Sequence, residues 1–218
     1  MDKIINVWKP IGWTSFDVVK KIKSYVRPSK VGHAGTLDPF AEGVLLICIG
    51  KKTKQVEMLM NNFKEYFGTI KLGEETDTLD CEGTVIKRST INKLSESKIL
   101  KILNTYIGDI EQTPPMYSAL KVNGKRLYEY ARKGQIIKRN PRVIRIYELE
   151  LINFTDNTID IRVKCGRGTY IRVLASDIAR SLNTVGYLKS LVRSRIGDYN
   201  GDDSVYINDI DKWLSTKN

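Results

Sequence analysis

The sequence is short of the residues on which many metal and redox sites depend. It has a single histidine, His33, and no cysteine pair with the ligand spacing of a zinc site. The three cysteines, Cys48, Cys81 and Cys165, lie far apart, and their odd number argues against a disulfide framework. We therefore expect no bound metal, cysteines that act as small apolar residues, and a cytoplasmic protein.

Long apolar runs and phosphate-cradling loops are also missing. The longest apolar run, residues 44–49, has the length of a strand and not of a membrane span. The first residues lack the apolar core of a signal peptide, and no GxxxxGK[ST] loop occurs. We expect no association with a membrane and no P-loop nucleotide site.

The charge is basic and concentrated in one segment. The chain of 218 residues has 36 Lys and Arg against 25 Asp and Glu, a net charge of +11, which favours a polyanionic partner such as nucleic acid. Residues 121–145 hold nine basic residues and one acid, Glu129, with Tyr128 and Tyr130 among them. Clustered cations with interleaved aromatic rings favour binding to RNA over a merely solvated basic face.

Apolar periodicity predicts a mixture of helices and strands. Helices are predicted at residues 15–26, 53–62, 95–107 and 170–182, the first of them capped by Thr14 or Ser15. Strands are predicted at residues 43–50, 66–72, 143–151, 159–165 and 190–199, with a loop over residues 28–39. Because the two types do not alternate strictly, we predict the α+β class.

The loop before the first predicted strand contains both His33 and Asp38. Gly32 and Gly35 permit tight turns and close approach of another backbone there. Loops at strand ends often hold reacting groups. On these residues alone, however, the Leu-Asp-Pro run favours a turn aspartate, and a lone histidine favours a structural one.

Six segments change this interpretation. Residues 32–45, GHAGTLDPFAEGVL, resemble the catalytic motif of TruB-type pseudouridine synthases. Five others resemble segments of the same family in the same order: residues 9–15, 64–66 with 72–80, 112–121 with 127–132, 168–172 and 186–197. They span most of the chain, so coincidence is a poor explanation.

The resemblance implies a fold, an activity and a partner. It implies the pseudouridine synthase fold, with a mixed, mainly antiparallel central sheet flanked by helices. The catalytic domain would cover residues 1–200, with a basic RNA-gripping insertion at about residues 112–145, and residues 201–218 would form a short tail without the PUA domain of many bacterial members. Family members isomerise uridine 55 in the T loop of tRNA, without a cofactor. We expect a monomer that binds the T stem-loop and needs no guide RNA.

The resemblance also assigns catalytic residues. Asp38 matches the nucleophile, which attacks either C1′ of the ribose or C6 of the base. Tyr66 matches the aromatic residue that stacks on the base and helps to remove the C5 proton. Arg172 matches the cation that pairs with the nucleophile.

Further residues match substrate-binding positions. His33 matches the residue that enters the T loop when the target base is extruded. Leu191 matches a pocket wall, and Lys9, grouped with the substrate-binding residues, matches a support beneath the site. Phosphate contacts are expected from four cations: Lys121, Arg126, Arg132 and Arg142.

Three alternatives stay open at this point. One is a noncatalytic RNA-remodelling protein on the same fold, which would not need Asp38. Another is a catalytic subunit directed by a guide RNA, against which the intact basic segment argues. The last is a hydrolase with His33 and Asp38 as a dyad, which lacks an evident nucleophilic serine motif.

Overall fold

The computed structural model describes residues 1–216. Its strands are, in chain order, β1 (Ile4–Lys9), β2 (Val31–His33), β3 (Glu42–Ile49), β4 (Lys64–Leu72), β5 (Glu74–Thr76), β6 (Val85–Arg88), β7 (Gly108–Gln112), β8 (Lys121–Val122), β9 (Lys125–Arg126), β10 (Arg142–Phe154), β11 (Thr158–Cys165), β12 (Gly186–Ile196), β13 (Tyr199–Asn200) and β14 (Val205–Tyr206). Its α-helices are α1 (Ser15–Tyr25), α2 (Val56–Met60), α3 (Glu96–Asn104), α4 (Leu127–Ala131), α5 (Ile171–Ser181) and α6 (Ile210–Thr216). Two 3₁₀ helices, Gly50–Gln55 and Ile207–Asp209, precede α2 and α6.

The chain forms two compact units. The first unit contains Met1–Phe67 together with the chain from Leu191 onward, and the second contains Gly68–Ser190. The boundary falls within β4 and within β12, so the first unit is assembled from both ends of the chain.

The sheet of the first unit is mixed. β1 and β3 are antiparallel, with Val7 opposite Leu45, and β2 is antiparallel to the other half of β3. β12 runs parallel to β3, and β14 runs parallel to β1. β3 therefore lies at the centre of this sheet, which explains why its residues form a continuous apolar run.

The core of the first unit covers both faces of β3. On one face Leu45, Ile47 and Ile49 pack with residues of α1 and α6. On the other face Val44, Leu46 and Cys48 form a second buried cluster. Cys48 and Cys165 are buried, as expected of small apolar residues, whereas the same expectation is wrong for Cys81, which is exposed.

The helix α1 begins with a complete capping box. The Thr14 side chain accepts from the Asp17 amide, and the Asp17 carboxylate accepts from the Thr14 amide. Of the two predicted caps, Thr14 is the one used, which leaves the hydroxyl of Ser15 available for another partner.

The second unit contains the antiparallel strands β7, β10 and β11, with β10 in the middle. The burial of β11 alternates along the strand, as the sequence predicted. The helix α3 packs against β10 and α5. Ser95 caps α3 by accepting from the Lys98 amide.

The predicted α+β class with mixed, mainly antiparallel pairing is confirmed. The helix predicted at residues 53–62 is split into a 3₁₀ turn and the short α2, and the loop predicted at residues 28–39 contains β2. Within residues 1–216, no helix combines the length and the apolar character that crossing a membrane requires.

Candidate active site

The loop between β2 and β3 contains Asp38, and hydrogen bonds from several other segments fix its backbone. Each carbonyl from Gly35 to Pro39 accepts a hydrogen bond. The donors are Arg193 Nη2 to Gly35 (3.2 Å), Arg193 Nη1 to Thr36 (3.3 Å), Ser15 Oγ to Leu37 (3.1 Å), the Ala41 amide to Asp38 (3.2 Å), and the Gly12 amide to Pro39 (2.8 Å). The Leu37 amide also donates to Ser15 Oγ at 2.9 Å. The loop is therefore an ordered part of the first unit.

Asp38 lies between two buried residues of the loop and is itself partly exposed. Leu37 and Phe40 are 3% and 6% exposed, so they anchor the loop in the interior. A carboxylate on such a scaffold can act as a nucleophile or as a base.

Lys9 supports this loop from within. It has no exposed surface, and its ammonium group donates to the carbonyls of Pro10 (2.8 Å), Trp13 (2.6 Å) and Pro39 (3.3 Å). The prediction that Lys9 binds the substrate is therefore wrong, because a fully buried ammonium group cannot contact RNA. Its contacts are those of a residue that supports the loop from below.

The first unit also contains His33, Tyr66 and Leu191. His33 is the last residue of β2, opposite Ile47, and is partly exposed. Tyr66, in β4, is 8% exposed, and Leu191, in β12, is 5% exposed. Ser194 Oγ donates to the Glu65 carbonyl at 3.3 Å, which ties the end of β12 to the start of β4. The roles assigned to these three residues stay predictions.

Arg172 lies in the first turn of α5 in the second unit and is 4% exposed. Its Nη1 lies 3.2 Å from the Asp80 carboxylate and donates to the Thr78 carbonyl at 2.8 Å. Its Nη2 donates to the Tyr117 carbonyl at 2.8 Å. A cation at a helix N-terminus opposes the macrodipole, and the Asp80 carboxylate offsets that conflict. The predicted pairing of Arg172 with Asp38 stays a prediction.

Asp80 is held in a strained turn. The preceding Leu79 has φ 63°, in the left-handed region that non-glycine residues rarely adopt. One Asp80 oxygen accepts from Thr78 Oγ1 at 2.6 Å and from the Glu82 amide at 3.1 Å, which leaves the other oxygen for Arg172. Such strain costs about 1–3 kcal/mol and is retained where the surroundings require the geometry.

The start of α5 is fixed by Gln112. Its side-chain amide donates to the Tyr170 carbonyl at 3.1 Å, and its side-chain oxygen accepts from the Tyr170 amide at 2.8 Å. Because Tyr170 caps α5 without a side-chain hydrogen bond of its own, Gln112 provides the polar contacts that position Arg172 two residues later.

The basic segment of the second unit presents cations on the surface. Its four candidate phosphate ligands, Lys121, Arg126, Arg132 and Arg142, are all exposed, and their contacts with phosphate stay a prediction. The guanidinium carbons of Arg126 and Arg132 lie 5.8 and 5.4 Å from the ring centroid of Tyr128. A cleft of about 320 Å³ beside this ring is lined by Tyr130, Lys125 and Lys133 as well. Cations beside an aromatic face suit phosphate contacts combined with stacking.

Three residues that hold predicted site residues or their loops were missed by sequence reasoning. Ser15 was considered only as a helix cap, and Asp80 only as part of a matched segment. Arg193 was placed in a predicted strand, although its spacing of two from Leu191 puts both side chains on the same face. That spacing was the available signal that Arg193 is buried.

Metal ligands are not grouped in the described part of the chain. Within residues 1–216, no cluster of three or more His, Cys, Asp or Glu side chains is arranged to hold an ion.

Comparison with known proteins identifies the family. Residues 23–171 match the model of the TruB family pseudouridylate synthase (N terminal domain). A tRNA pseudouridine synthase B of Dehalococcoides mccartyi (strain ATCC BAA-2100) is 46% identical over 211 residues, which are 97% of this chain and 70% of the relative. That of Clostridium novyi (strain NT) is 49% identical over 208 residues, 95% of this chain and 72% of the relative.

A solved structure shows the same architecture. A chain in the crystal structure of a Cbf5-Nop10-Gar1 complex is similar with a TM-score of 0.76 and 29% identity. The match covers 98% of this chain and 55% of the solved one. The family model, the curated relatives and this fold agree with the six motifs: the chain belongs to the TruB family of pseudouridylate synthases.

Proposed function

We propose that this protein is a tRNA pseudouridine synthase that isomerises uridine 55 in the T loop, with Asp38 as the nucleophile. We further propose that it acts in the cytoplasm as a monomer, without a guide RNA. The names of its curated relatives support the reaction and the tRNA substrate. The position of the uridine and the identity of the nucleophile rest on the motif that contains Asp38.

The observation that carries the proposal is the fixation of the Asp38 loop. A nucleophile must meet its target atom within a few tenths of an ångström, so a fixed backbone lowers the entropic part of the barrier. All five carbonyls from Gly35 to Pro39 accept hydrogen bonds, and the buried Leu37 and Phe40 flank Asp38, a partly exposed residue. This fixed backbone is consistent with a catalytic role, whereas the assignment of Asp38 rests on the motif.

The chemistry requires no cofactor in this proposal. The N1–C1′ bond breaks, the base rotates, and a C5–C1′ bond forms, while C5 loses a proton and N1 gains one. Asp38 would form a temporary bond to C1′ or to C6 and leave again in the last step, so it is unchanged after each turnover. The reaction is an isomerisation with no change of oxidation state.

The remaining site residues have supporting roles in the proposal. The buried ring of Tyr66 would stack on the extruded base, and its hydroxyl would assist removal of the C5 proton. Leu191 would form an apolar wall, and His33 would fill the space that the base leaves. Arg172 would balance the charge of Asp38, in addition to its contact with Asp80.

The basic segment would hold the RNA backbone. Lys121, Arg126, Arg132 and Arg142 are exposed, and Tyr128 lies against two of them. Such contacts position a stem without reading its sequence.

The test is release of tritium from C5 of uridine in a tRNA transcript, combined with mapping of the modified position. Purified protein alone should release the label and form pseudouridine at position 55, and a T stem-loop hairpin should also be a substrate. Asp38→Asn should lose all product, because an amide is a poor nucleophile.

Asp198→Asn provides a matched control, since Asp198 is an exposed aspartate in the turn after β12 and should tolerate the same change. Undiminished product from Asp38→Asn would remove Asp38 from the mechanism. Activity that requires an added guide RNA would contradict stand-alone action, and modification of whole tRNA but not of the hairpin would contradict recognition through the T stem-loop.

A further inference from the structure

Arg193 is a buried cation in the first unit whose hydrogen bonds all go to backbone carbonyls. It is 1% exposed. Its Nε donates to Val44 at 2.7 Å, and its two terminal nitrogens donate to Thr36 at 3.3 Å and Gly35 at 3.2 Å. Among residues 1–216, these three carbonyls are the groups that the structure shows bound to this guanidinium.

Such an arrangement is costly for stability alone. Burial of a charge is compensated best by an opposite charge, and neutral carbonyls compensate it less completely. An apolar side chain in this strand would avoid the desolvation penalty. The geometric advantage of arginine is its planar fork, whose N–H groups point in fixed directions and can hold several acceptors at once.

The three acceptors join two different segments of the chain. Val44 belongs to β3, whereas Gly35 and Thr36 belong to the loop that leads to Asp38. The guanidinium therefore links the central strand of the unit to the loop, three residues before the carboxylate. Ser15 holds the next residue, Leu37, through both its amide and its carbonyl.

The backbone of Arg193 is also tightly fixed. It pairs with Gly43 in the parallel ladder between β12 and β3. Gly43 has φ 116°, and a Cβ added to it would lie 2.2 Å from the Arg193 carbonyl oxygen. Only glycine allows this approach, so both ends of the arginine are constrained.

We propose that Arg193 is a positioning residue for the reaction: its guanidinium sets the conformation of residues 35–38 and thereby directs the Asp38 carboxylate towards the target uridine. This inference rests on the proposed function, because it gives a task to a residue that acts through Asp38. Arg193 need not touch the RNA, since it is buried.

The test is Arg193→Lys in single-turnover reactions with T stem-loop RNA and excess protein. We expect the rate constant to fall about 10- to 100-fold, because a misplacement of about 1 Å at a reacting group has an effect of this size. The dissociation constant for the RNA should change by less than about threefold, since phosphate contacts dominate affinity. Hydrogen exchange at the Leu37 amide should become faster in the variant even without RNA.

Arg195→Lys is the matched control on the same strand. The Arg195 guanidinium donates to the Gly197 carbonyl at 2.7 Å and lies 5.7 Å from the Phe63 ring centroid. Its replacement should leave the rate constant within about twofold of the original value, as for most surface changes.

Arg193→Gln gives a second route if Arg193→Lys does not fold, because a neutral amide is buried at a lower desolvation cost but cannot hold all three carbonyls. A folded Arg193→Lys or Arg193→Gln protein with the original rate constant would overturn the inference, as would a loss that lies entirely in RNA affinity. If the protein with the original sequence is itself inactive, the result counts against the proposed function. The rate of hydrogen exchange at the Leu37 amide would still test the link between Arg193 and the loop.

Discussion

Lys9 ends β1 with no exposed surface, and its ammonium group donates to three backbone carbonyls of the segments next to Asp38. Lys9→Met keeps the apolar stem but leaves buried carbonyls without this donor. We expect the free energy of unfolding, measured by urea titration, to fall by about 1–3 kcal/mol. Lys23→Met, an exposed lysine of α1, should change it by less than about 0.5 kcal/mol. Equal effects of the two changes would contradict the supporting role of Lys9.

The ion pair between Arg172 and Asp80 is a second test at this scale. The two side chains are 5% and 6% exposed, so removal of one partner leaves a buried charge. Asp80→Ala should lower the free energy of unfolding by about 3–5 kcal/mol. Asp109→Ala breaks the pair with Arg145, whose side chains are 55% and 57% exposed, and should cost less than about 1 kcal/mol. A small effect of Asp80→Ala would show that the pair is not required for folding.

Single residues also mark the limit of prediction from the sequence. The motif located Asp38, but a charged side chain in a sequence gives no direct sign that it is buried. The positions of Lys9 and Arg193 depend on carbonyls of a loop that lies, for Arg193, more than 150 residues away in the chain. Asp80 was inside a recognised segment, yet its partner lies in the distant helix α5. The loop that contains Asp38 was therefore predictable from the motif, whereas the buried cations that hold its backbone were not.

Among the elements, α1 has an end whose stability depends on pH. Hydrogen bonds from the Thr14 side chain and backbone hold the pKa of the Asp17 carboxyl below its ordinary value of 3.8. A lowered carboxyl pKa stabilises the fold above the ordinary value, and this contribution is lost as the pH falls through the folded-state pKa. Thr14→Ala should cost about 1 kcal/mol near neutral pH.

The difference between Thr14→Ala and the original protein should shrink when unfolding is followed at successively lower pH through the carboxyl range. Ser24→Ala, near the other end of α1, removes a hydroxyl outside the cap and should show no such trend. A difference that stays constant with pH would mean that the Asp17 carboxylate does not contribute through the cap.

Elements with a strong local period were predictable, and those defined by distant partners were not. The helices α1, α3 and α5 and the strands β3, β10 and β11 lie close to their predicted positions. β1 was missed, although Ile5 and Val7 alternate along it, because the run is short and its pairing with β3 and β14 is invisible in the local sequence. β7 was missed for the same reason, since its strand conformation depends on hydrogen-bonded pairing with β10.

For the whole molecule, the net charge of +11 predicts a steep dependence of RNA binding on salt. A plot of log affinity against log salt concentration has a negative slope. Each of four single replacements by Gln should reduce the magnitude of this slope by about one for every phosphate interaction that it removes. The four positions are Lys121, Arg126, Arg132 and Arg142. Affinity should fall by a similar factor for stems of different sequence, because phosphate contacts do not read bases. Fluorescence anisotropy over a series of salt concentrations measures both quantities.

Lys93→Gln is the charge-matched control for this series, because Lys93 is exposed and lies outside the basic segment. It should leave the slope nearly unchanged. If all five variants shift the slope equally, binding follows total charge and not the segment at residues 121–145.

The assembly of the first unit from both ends of the chain has a consequence for synthesis on the ribosome. The second unit, Gly68–Ser190, is one continuous stretch and can fold as soon as it has emerged. The first unit cannot close its core until β12, β14 and α6 have been translated, because Ile207, Ile210 and Leu214 pack on β1, β3 and α1. Arg193, which holds the Asp38 loop, is translated with this later part of the first unit. More than 150 residues are therefore synthesised after the Asp38 loop before Arg193 can hold its backbone.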